Sequence, residues 1–525
     1  MEKLPDIVIF AESGVRIGTG HAMRCFALAQ SWKRAGVYSE FVLPQDSPGL
    51  IARIREEGFI VNELADGRTF GDAIREQIRS QRFGLAVLDG YGFGAAEQIA
   101  FDKAGIRVLF LDDYGHAEHY SARWVLNHNP YAQSETYSQR DPETRLLLGS
   151  KYALLREEFL SWLSWKPEIS EQPQKVLITM GGSDADNASL KVLEALNRFA
   201  QAQKGSQKGT EKRNTFEVIL AVGSGNPHLA AVDRATGLNA IQLQIVRDAR
   251  NMPSLMAWAD IAIATAGGTA LELCYMGMPS LLFIAAENQR KLAEDLDQRG
   301  VAINAGTTDQ FNAGKFIGQF RSLLESSNQR ESMSKKGRTL IDGSGAERVR
   351  AVLTGHELQL RNAGESDCKL LLDWANDPAA RVASFHSTII HLEDHKRWFA
   401  ERLNDPQSQI YIAETCSRNA TPHSACPCSV GQVRFQLNAR SAVISIGVAP
   451  ELRGKGWGAS LVTFATRALA RDRLVDRIDA FVKPHNAASI RLFQKCGFED
   501  TGAAEVAGQP ALRFSWRCER KPYAG

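Results

Sequence analysis

Short, nearly continuous apolar runs punctuate the first two-thirds of the chain: "DIVIF", "SEFVLP", "GLAVLDG", "IRVLFLDD", "KVLITM", "FEVILAV", "LQIVR", "DIAIATA" and "PSLLFIA". Each is Leu-rich or β-branched and bounded by Gly, Asp or Pro. Stretches with helical periodicity, such as "HAMRCFALAQSWKRAG", lie between them. Unbroken apolar strands alternating with helices predict parallel sheets covered on both faces. A polar, proline-bearing break at "SWKPEISEQPQ" (164–174) divides this region into two halves. After "DGSGAERV" the texture changes. "ELQLRNAGESD", "IYIAE", "SVGQVRFQL" and "AVISIGVAP" follow without intervening crossover helices before "RGKGWGASLVTFATRALAR". That pattern predicts a mixed, largely antiparallel sheet with one long helix. The expected organisation is an α/β chain with three domains: 1–165, 172–350 and an α+β domain over 357–525.

Bulk properties narrow the function. A length of 525 residues suits three domains, and 44% hydrophobic with 23% charged residues describes an ordinary globular chain. The formal net charge of +2 supplies no basic stripe, so a nucleic-acid partner is not expected. "MEKLPDIVIF" lacks the features of a signal peptide and no apolar run approaches a bilayer span, so no membrane partner is expected either. The segment "QKGSQKGTEKRN" (203–214) reads as a solvated insertion loop. Among eight cysteines, Cys416, Cys426 and Cys428 cluster around His423. The spacing matches no zinc finger and the setting is a Ser/Pro-rich loop, so no metal is expected and a reducing cytoplasm is the simplest location.

Candidate chemistry falls at strand ends. "RIGTGHAMRC" places Gly18 and Gly20 before His21 and Arg24 at a strand-to-helix turn. A helix N-terminus disfavours imidazolium, which keeps a histidine there neutral and able to act as a base. The plainer reading is a helix-cap residue. "LDGYGF" and "FLDDYGH" put Asp89, Tyr91, Asp112 and Asp113 at neighbouring strand ends. In the second half, "TMGGSDADN" carries Gly182 and Ser183; "TAGGTALELCYMGMPSLLFIAAENQ" carries Gly268, Thr269, Glu272, Asn288 and Gln289. Glycines with a hydroxyl at a helix start suit a pyrophosphate, and a carboxylate one turn in can accept ribose hydroxyls. Turn glycines with no ligand remain the alternative. Two such domains imply a ligand cleft between the carboxyl ends of their strands.

In the last domain, "IGVAPELRGKGWGASLV" presents Val448, Arg453, Gly454, Gly456 and Gly458 where an apolar strand meets a helix. Such a loop brings amide donors and the positive end of the helix to a pyrophosphate. "DAFVKPHNAASIRLFQKCGF" follows, with Asn486 starting a helix. In this order the two stretches resemble motifs A and B of the GNAT acetyltransferase superfamily, over about 357–520. The resemblance implies acetyl-CoA as co-substrate, held by the strand end Ile446 to Val448, by the Arg453–Gly458 loop and by Asn486. Many members have a tyrosine where Phe493 stands, so the thiolate's proton donor is vacant or elsewhere. Glu414 is the nominated base, against an ordinary strand-end carboxylate. Trp374, Arg381 and His391 lie where aminosugar-nucleotide and protein acetyltransferases bind acceptor, although Trp374 also suits a core position.

The motifs of the first 350 residues resemble a known family too. The "GGT…E…NQ" arrangement looks like the donor half of GT-B transferases such as the cell-wall UDP-N-acetylglucosamine transferase. "IGTGHAMRC", "LDGY", "LDDYGHAEHYSARWVLNHN", "LLGSKYALLREEF", "GGSDADN" and "NQ" together resemble the UDP-sugar hydrolases of pseudaminic acid biosynthesis over residues 5–350. The resemblance implies two Rossmann-like domains in GT-B arrangement, and His21 as the base activating water for inverting release of UDP. It implies that Tyr91 positions the reacting groups and that Arg156 contacts phosphate or substrate; no metal is needed. Acetyl-CoA-dependent N-acetylation of a UDP-4-aminosugar would then make the hydrolase's substrate, UDP-2,4-diacetamido-2,4,6-trideoxy-β-L-altrose. Two other readings stand beside this: a GT-B glycosyltransferase fused to a protein N-acetyltransferase, and a non-catalytic nucleotide-sugar sensor.

Overall fold

The computed structural model describes residues 5–14, 17–65, 67–206, 216–223, 225–416, 427–520 and 522–523. His423, Cys426 and residues 207–214 of the insertion lie outside the described residues. No helix among the described residues is long and apolar enough to cross a membrane.

Three sheets organise the chain. The first comprises β1 (Ile7–Ala11), β2 (Ser39–Pro44), β3 (Ile60–Leu64), β4 (Leu85–Asp89), β5 (Arg107–Leu111), β6 (Trp124–Asn127) and β7 (Arg145–Leu148). All pair in parallel, in the order β3-β2-β1-β4-β5-β6-β7. The second contains β8 (Lys175–Thr179), β9 (Glu217–Val222), β10 (Gln242–Arg247), β11 (Ile261–Thr265), β12 (Ser280–Ile284) and β13 (Ile303–Thr307), also parallel, in the order β10-β9-β8-β11-β12-β13. β1, β4, β11 and β12 are buried at every position, as their unbroken apolar runs require. Strand order reverses beside β1 and β4 in one sheet and beside β8 and β11 in the other. In sheets of this kind such switch points open crevices at the strands' carboxyl ends, which is where the loops after these four strands lie.

The lobes exchange segments, which corrects the expected boundaries. Leu155, Phe159, Trp162 and Leu163, expected in the first domain, pack into the core of the second lobe beside Met256 and Tyr275. Ala346, Val349, Val352 and Leu353, from the helix Gly345–Thr354, return to the core of the first lobe beside Phe26 and Trp32. Proline and charge mark where the chain turns; which core a short amphipathic helix joins is decided by tertiary packing.

The third sheet has the order β14-β15-β16-β17-β18-β20-β19: β14 (Gln359–Asn362), β15 (Ser408–Thr415), β16 (Cys428–Asn438), β17 (Ser441–Val448), β18 (Arg477–Val482), β19 (Glu499–Val506) and β20 (Gln509–Arg517). Only β17 and β18 pair in parallel. The long helix Trp457–Arg473 covers one face, the helix expected after Asn486 runs over Ala487–Lys495, and the helices Cys368–Asn376 and Leu392–Asn404 join them.

Candidate functional site

In the first lobe, β1 leads through a pinched loop into the helix Gly20–Arg34. Gly14 and Gly18 exchange backbone hydrogen bonds of 3.1 and 2.7 Å, and Gly18 has φ +79°, open to glycine with little strain. The loop sets His21 in the first helical turn, 7% exposed. Its ring meets Tyr91 edge-on at 4.8 Å between centroids, and Nδ1 is buried without a hydrogen-bond partner among the described residues.

Tyr91 is held from three sides. Its hydroxyl donates to Asp113 Oδ2 at 3.0 Å and accepts from Asn288 Nδ2 of the other lobe at 2.6 Å. Its backbone N–H donates to Glu12 Oε2 at 2.8 Å, while the Gly92 N–H donates to Glu12 Oε1 at 3.0 Å. A Cβ at Gly90 or Gly92 would fall 2.4 or 2.5 Å from Glu12, so both glycines are required by that close approach. Nothing in the pattern around "FAESG" distinguishes Glu12 from a surface carboxylate, and the sequence reading missed it.

Beneath Tyr91 lies a buried ionic network. Arg24 donates to Asp89 through Nε (2.7 Å) and Nη2 (2.6 Å), and to Asp113 through Nη1 (2.6 Å). Asn129 adds a bond to Asp113 Oδ1 at 3.1 Å. Burial alone would raise the Asp113 carboxyl, but the Arg24 charge and hydrogen bond hold it well below the usual carboxylate range. Tyr91 moves the other way: burial, then the Asp113 charge, push its phenol far up, so it stays protonated. Arg24 was expected to touch substrate; with all three guanidinium nitrogens engaged, it instead positions Asp113.

Arg156 departs from expectation in the same way. It is 7% exposed, donates through Nε and Nη2 to Glu272 Oε1 at 3.1 and 2.7 Å, and pairs through Nη1 with Glu158. The face of Phe159 covers it at 5.2 Å. A phosphate would have to displace these partners, so Arg156 orients Glu272. Glu272 Oε2 makes no hydrogen bond among the described residues and remains available as an acceptor.

Across the gap, the loops after β8 and β11 carry the other expected residues. A Cβ on Gly182 would lie 3.4 Å from Thr19 Oγ1, which shows how near the two glycine loops approach. Ser183 is half-buried beside it, and Asp184 caps the helix Ala188–Ser206 by accepting from the Ala188 and Ser189 N–H groups at 2.8 and 3.1 Å. Gly268 and Thr269 open the helix Gly268–Met276; Gly268 is exposed, with open space where a Cβ would stand. Gln289 Oε1 accepts from the Ala285 N–H at 3.0 Å, and its Nε2 lies 3.7 Å from a Cβ built on Gly267. The structure thus gathers Gly18, Gly20, His21, Tyr91, Gly182, Ser183, Gly268, Thr269, Asn288 and Gln289 around one gap. Two helix N-termini, at Gly20 and Gly268, follow strand ends there and offer amide donors to a diphosphate, whereas the one at Ala188 is already capped by Asp184.

The second site lies where β17 and β18 part. They pair over Ser441↔Arg477 to Ile444↔Ala480, yet β17 continues to Val448, still paired with β16. One backbone edge of 445–448 is therefore left without a ladder partner in β18. The next loop requires glycine: Gly454 has φ +73° and Gly456 φ +93°, and a Cβ on Gly458 would stand 3.3 Å from Leu492 Cδ2. Asn486 caps its helix by accepting from the Ser489 N–H at 3.1 Å. These features fit a pantetheine and pyrophosphate chain. Arg453 is the exception. Its Nε donates to Val448 O at 3.1 Å and Nη1 pairs with Asp377, so it braces the loop. Glu414 pairs with Arg361 at 2.7 Å, which leaves it poorly placed as a base. Phe493, 4% exposed, packs edge-on against Phe498, and Trp374, 8% exposed, belongs to the core. Arg381 braces the backbone carbonyls of Ala375, His386 and Thr388, while His391 is exposed.

Residues 156–349 match the glycosyltransferase family 28 C-terminal domain, and residues 357–499 match the acetyltransferase (GNAT) domain. Spore coat polysaccharide biosynthesis protein SpsG of Bacillus subtilis (strain 168) is 26% identical over 347 residues, covering 66% of this chain and 96% of that protein. Uncharacterized protein MJ1062 of Methanocaldococcus jannaschii is 23% identical over 522 residues, 94% of this chain and 97% of that protein. Among solved structures, spermidine N-acetyltransferase from Vibrio cholerae in complex with CoA and spermine is 20% identical, spans 30% of this chain and 95% of that one, and has a TM-score of 0.27. The chain joins a glycosyltransferase-28-like nucleotide-sugar region to a GNAT acetyltransferase domain.

Proposed function

We propose that the chain performs two consecutive steps on one nucleotide sugar. The C-terminal domain N-acetylates a UDP-4-aminosugar, and the two-lobed region then hydrolyses the UDP-diacetamido sugar to free sugar and UDP. The juxtaposition of His21, Tyr91 and Asn288 from opposite lobes, facing glycine-opened helix starts, carries the hydrolytic half. His21 takes a proton from water, the water oxygen bonds to the anomeric carbon, and the bond from that carbon to the diphosphate oxygen breaks, inverting configuration. Amides at the Gly268 helix start stabilise the departing diphosphate, so no strong general acid is required. Tyr91, held protonated between Asp113 and Asn288, keeps the lobes in register around the reacting centre.

In the acetyltransferase half, acetyl-CoA supplies the acetyl group as a thioester. The free backbone edge at 445–448 aligns its pantetheine arm, and the amides of 454–458 hold its pyrophosphate. Joining both sites in one chain raises the concentration of each around the other's product.

Mass spectrometry of a UDP-4-aminosugar incubated with acetyl-CoA and the full chain tests the reading. Gain of one acetyl group followed by loss of UDP, with no sugar acceptor present, is the expected sequence. UDP release that waits for an added acceptor would replace hydrolysis with glycosyl transfer. Absence of either product would leave a nucleotide-sugar sensor.

A further inference from the structure

Away from both sites, where the second lobe meets the acetyltransferase domain, lies a cavity of 1170 Å³. Six cationic side chains line it: Lys166, Lys335, Arg338, Arg348, Arg467 and Arg471. Three carboxylates, on Glu331, Asp342 and Asp472, oppose them. Asp342 is consumed by Arg348, which it accepts from through both carboxylate oxygens, and Arg467 shares Glu347 with Arg34 and Arg350.

Neither Arg338 nor Arg471 forms an ion pair among the described residues; Asp342 and Asp472 act on Arg471 only from beyond ion-pair distance. Arg338 donates through Nη1 to the Trp165 carbonyl. Arg471 has Nη1 and Nη2 buried with no hydrogen-bond partner among the described residues, its guanidinium lying over the Tyr275 ring at 5.5 Å. The two cations also work against each other: burial, then the Arg471 charge, push Arg338 down to about 10. Cations buried without a paired, hydrogen-bonded counter-charge are costly, and cost least when an anion can enter beside them. Leu358, Leu360 and Phe464 give the same cavity an apolar wall.

This is not the acetyl-CoA loop. Gly456 and Arg471 stand at opposite ends of the helix Trp457–Arg473, about 22 Å apart at 1.5 Å per residue. Nor is it the nucleotide cleft. The helix Gly268–Met276 begins at the cleft, and Tyr275, near its other end, lies under Arg471.

We propose that this cavity binds a small phosphorylated organic anion, its phosphate or diphosphate set against Arg338 and Arg471 and its apolar part against Leu358, Leu360 and Phe464. Such a ligand touches both domains and stabilises the interface between them. The phosphate chemistry is shared by inorganic anions and nucleotides, and the two are separable.

The full chain, saturated with UDP and CoA to fill its other phosphate sites, is titrated calorimetrically with inorganic pyrophosphate and, separately, with adenosine diphosphate. A further binding event is expected for both probes, at least tenfold tighter for adenosine diphosphate. Arg471→Gln and Arg338→Gln should each weaken it tenfold or more. If Arg471→Gln does not fold, Arg338→Gln alone carries the test. No additional binding by either probe, or affinities unchanged in the folded variants, would overturn the proposal. Equal affinity for the two probes would overturn its organic part.

Discussion

In the cleft between the parallel-sheet lobes, the groups proposed to react are side chains tied down by other side chains. Arg24, Asp89 and Asp113 form a buried ionic floor, Tyr91 rises from it to Asn288, and His21 packs on Tyr91. At the edge of the antiparallel sheet, the site is almost wholly backbone: an unpaired strand edge, positive-φ glycines and a helix start. A diphosphate with a thioester already activated needs only to be held. A water to be activated needs a base in a fixed place. The first region should therefore be fragile to loss of a functional group, the second to loss of a conformation.

His21→Ala tests the first half of that contrast and should have the largest effect. Removing a positioned general base costs about 10²–10⁴-fold in rate. UDP release should fall to that extent, while thiol release from acetyl-CoA by the same variant stays within twofold of the parent. Equal losses in both assays would mean that the substitution damages the fold and would erase the contrast.

The next effect is on stability. His128 is buried beneath the same network, its Nδ1 accepting from the Leu154 N–H at 3.3 Å. Burial, then the Arg24 charge, push its imidazole down to about 4. The unfolded chain takes up this proton near pH 6.5, the folded one only near 4. Across that window the unfolded state holds more protons, so acidification from pH 7 to 4 removes stability, about 3 kcal/mol from this group. His128→Gln should flatten the fall of the urea midpoint over that range. His356 and His395 are also pushed down by burial and act in the same sense. The readout is therefore the difference between parent and variant; parallel slopes would remove His128 from the account.

Which parts of this were legible in the sequence follows from the same distinction. Strands buried on both faces announce themselves, as "DIVIF" and "DIAIATA" do. β3 ("IVNEL") and β13 ("INAGT") do not, because their exposed or half-buried positions mix polar residues into short edges. The hairpin β19–β20 is hidden by glycine, alanine and proline. Glycine loops betray backbone sites, since the conformation demands the residue type: Gly18, Gly454 and Gly456 all have positive φ. Arginines mislead. Arg24, Arg156 and Arg453 each sit in a ligand-binding motif, and each is spent on a carboxylate that only the folded chain brings near. Glu12 was invisible for the same reason, its partners being backbone amides some eighty positions away.

Gly456→Ala sharpens the second half of the contrast. At φ +93° a Cβ introduces strain of about 1–3 kcal/mol, which here is relieved by moving the amides proposed to hold the pyrophosphate. Acetyl transfer should fall roughly tenfold or more, mostly as a raised KM for acetyl-CoA, with UDP release unchanged. Serine in place of alanine should be no better, because the defect lies in φ and not in the lost hydrogen.

Arg453→Ala should have the smallest effect, and it separates a backbone site from a charged one. If the guanidinium gripped phosphate, its loss would remove a charge-assisted hydrogen bond of about 1.5–3 kcal/mol, equivalent to at least tenfold in KM for acetyl-CoA. In the structure it is half-buried and already paired with Asp377 and the Val448 carbonyl. Truncation then loosens one brace of a loop whose shape is fixed by glycines and by the helix after it, and less than threefold is expected. The salt dependence of KM decides the matter independently of its size. A direct phosphate contact would leave the variant with a shallower slope against ionic strength, whereas a brace that never meets the ligand leaves the two slopes parallel.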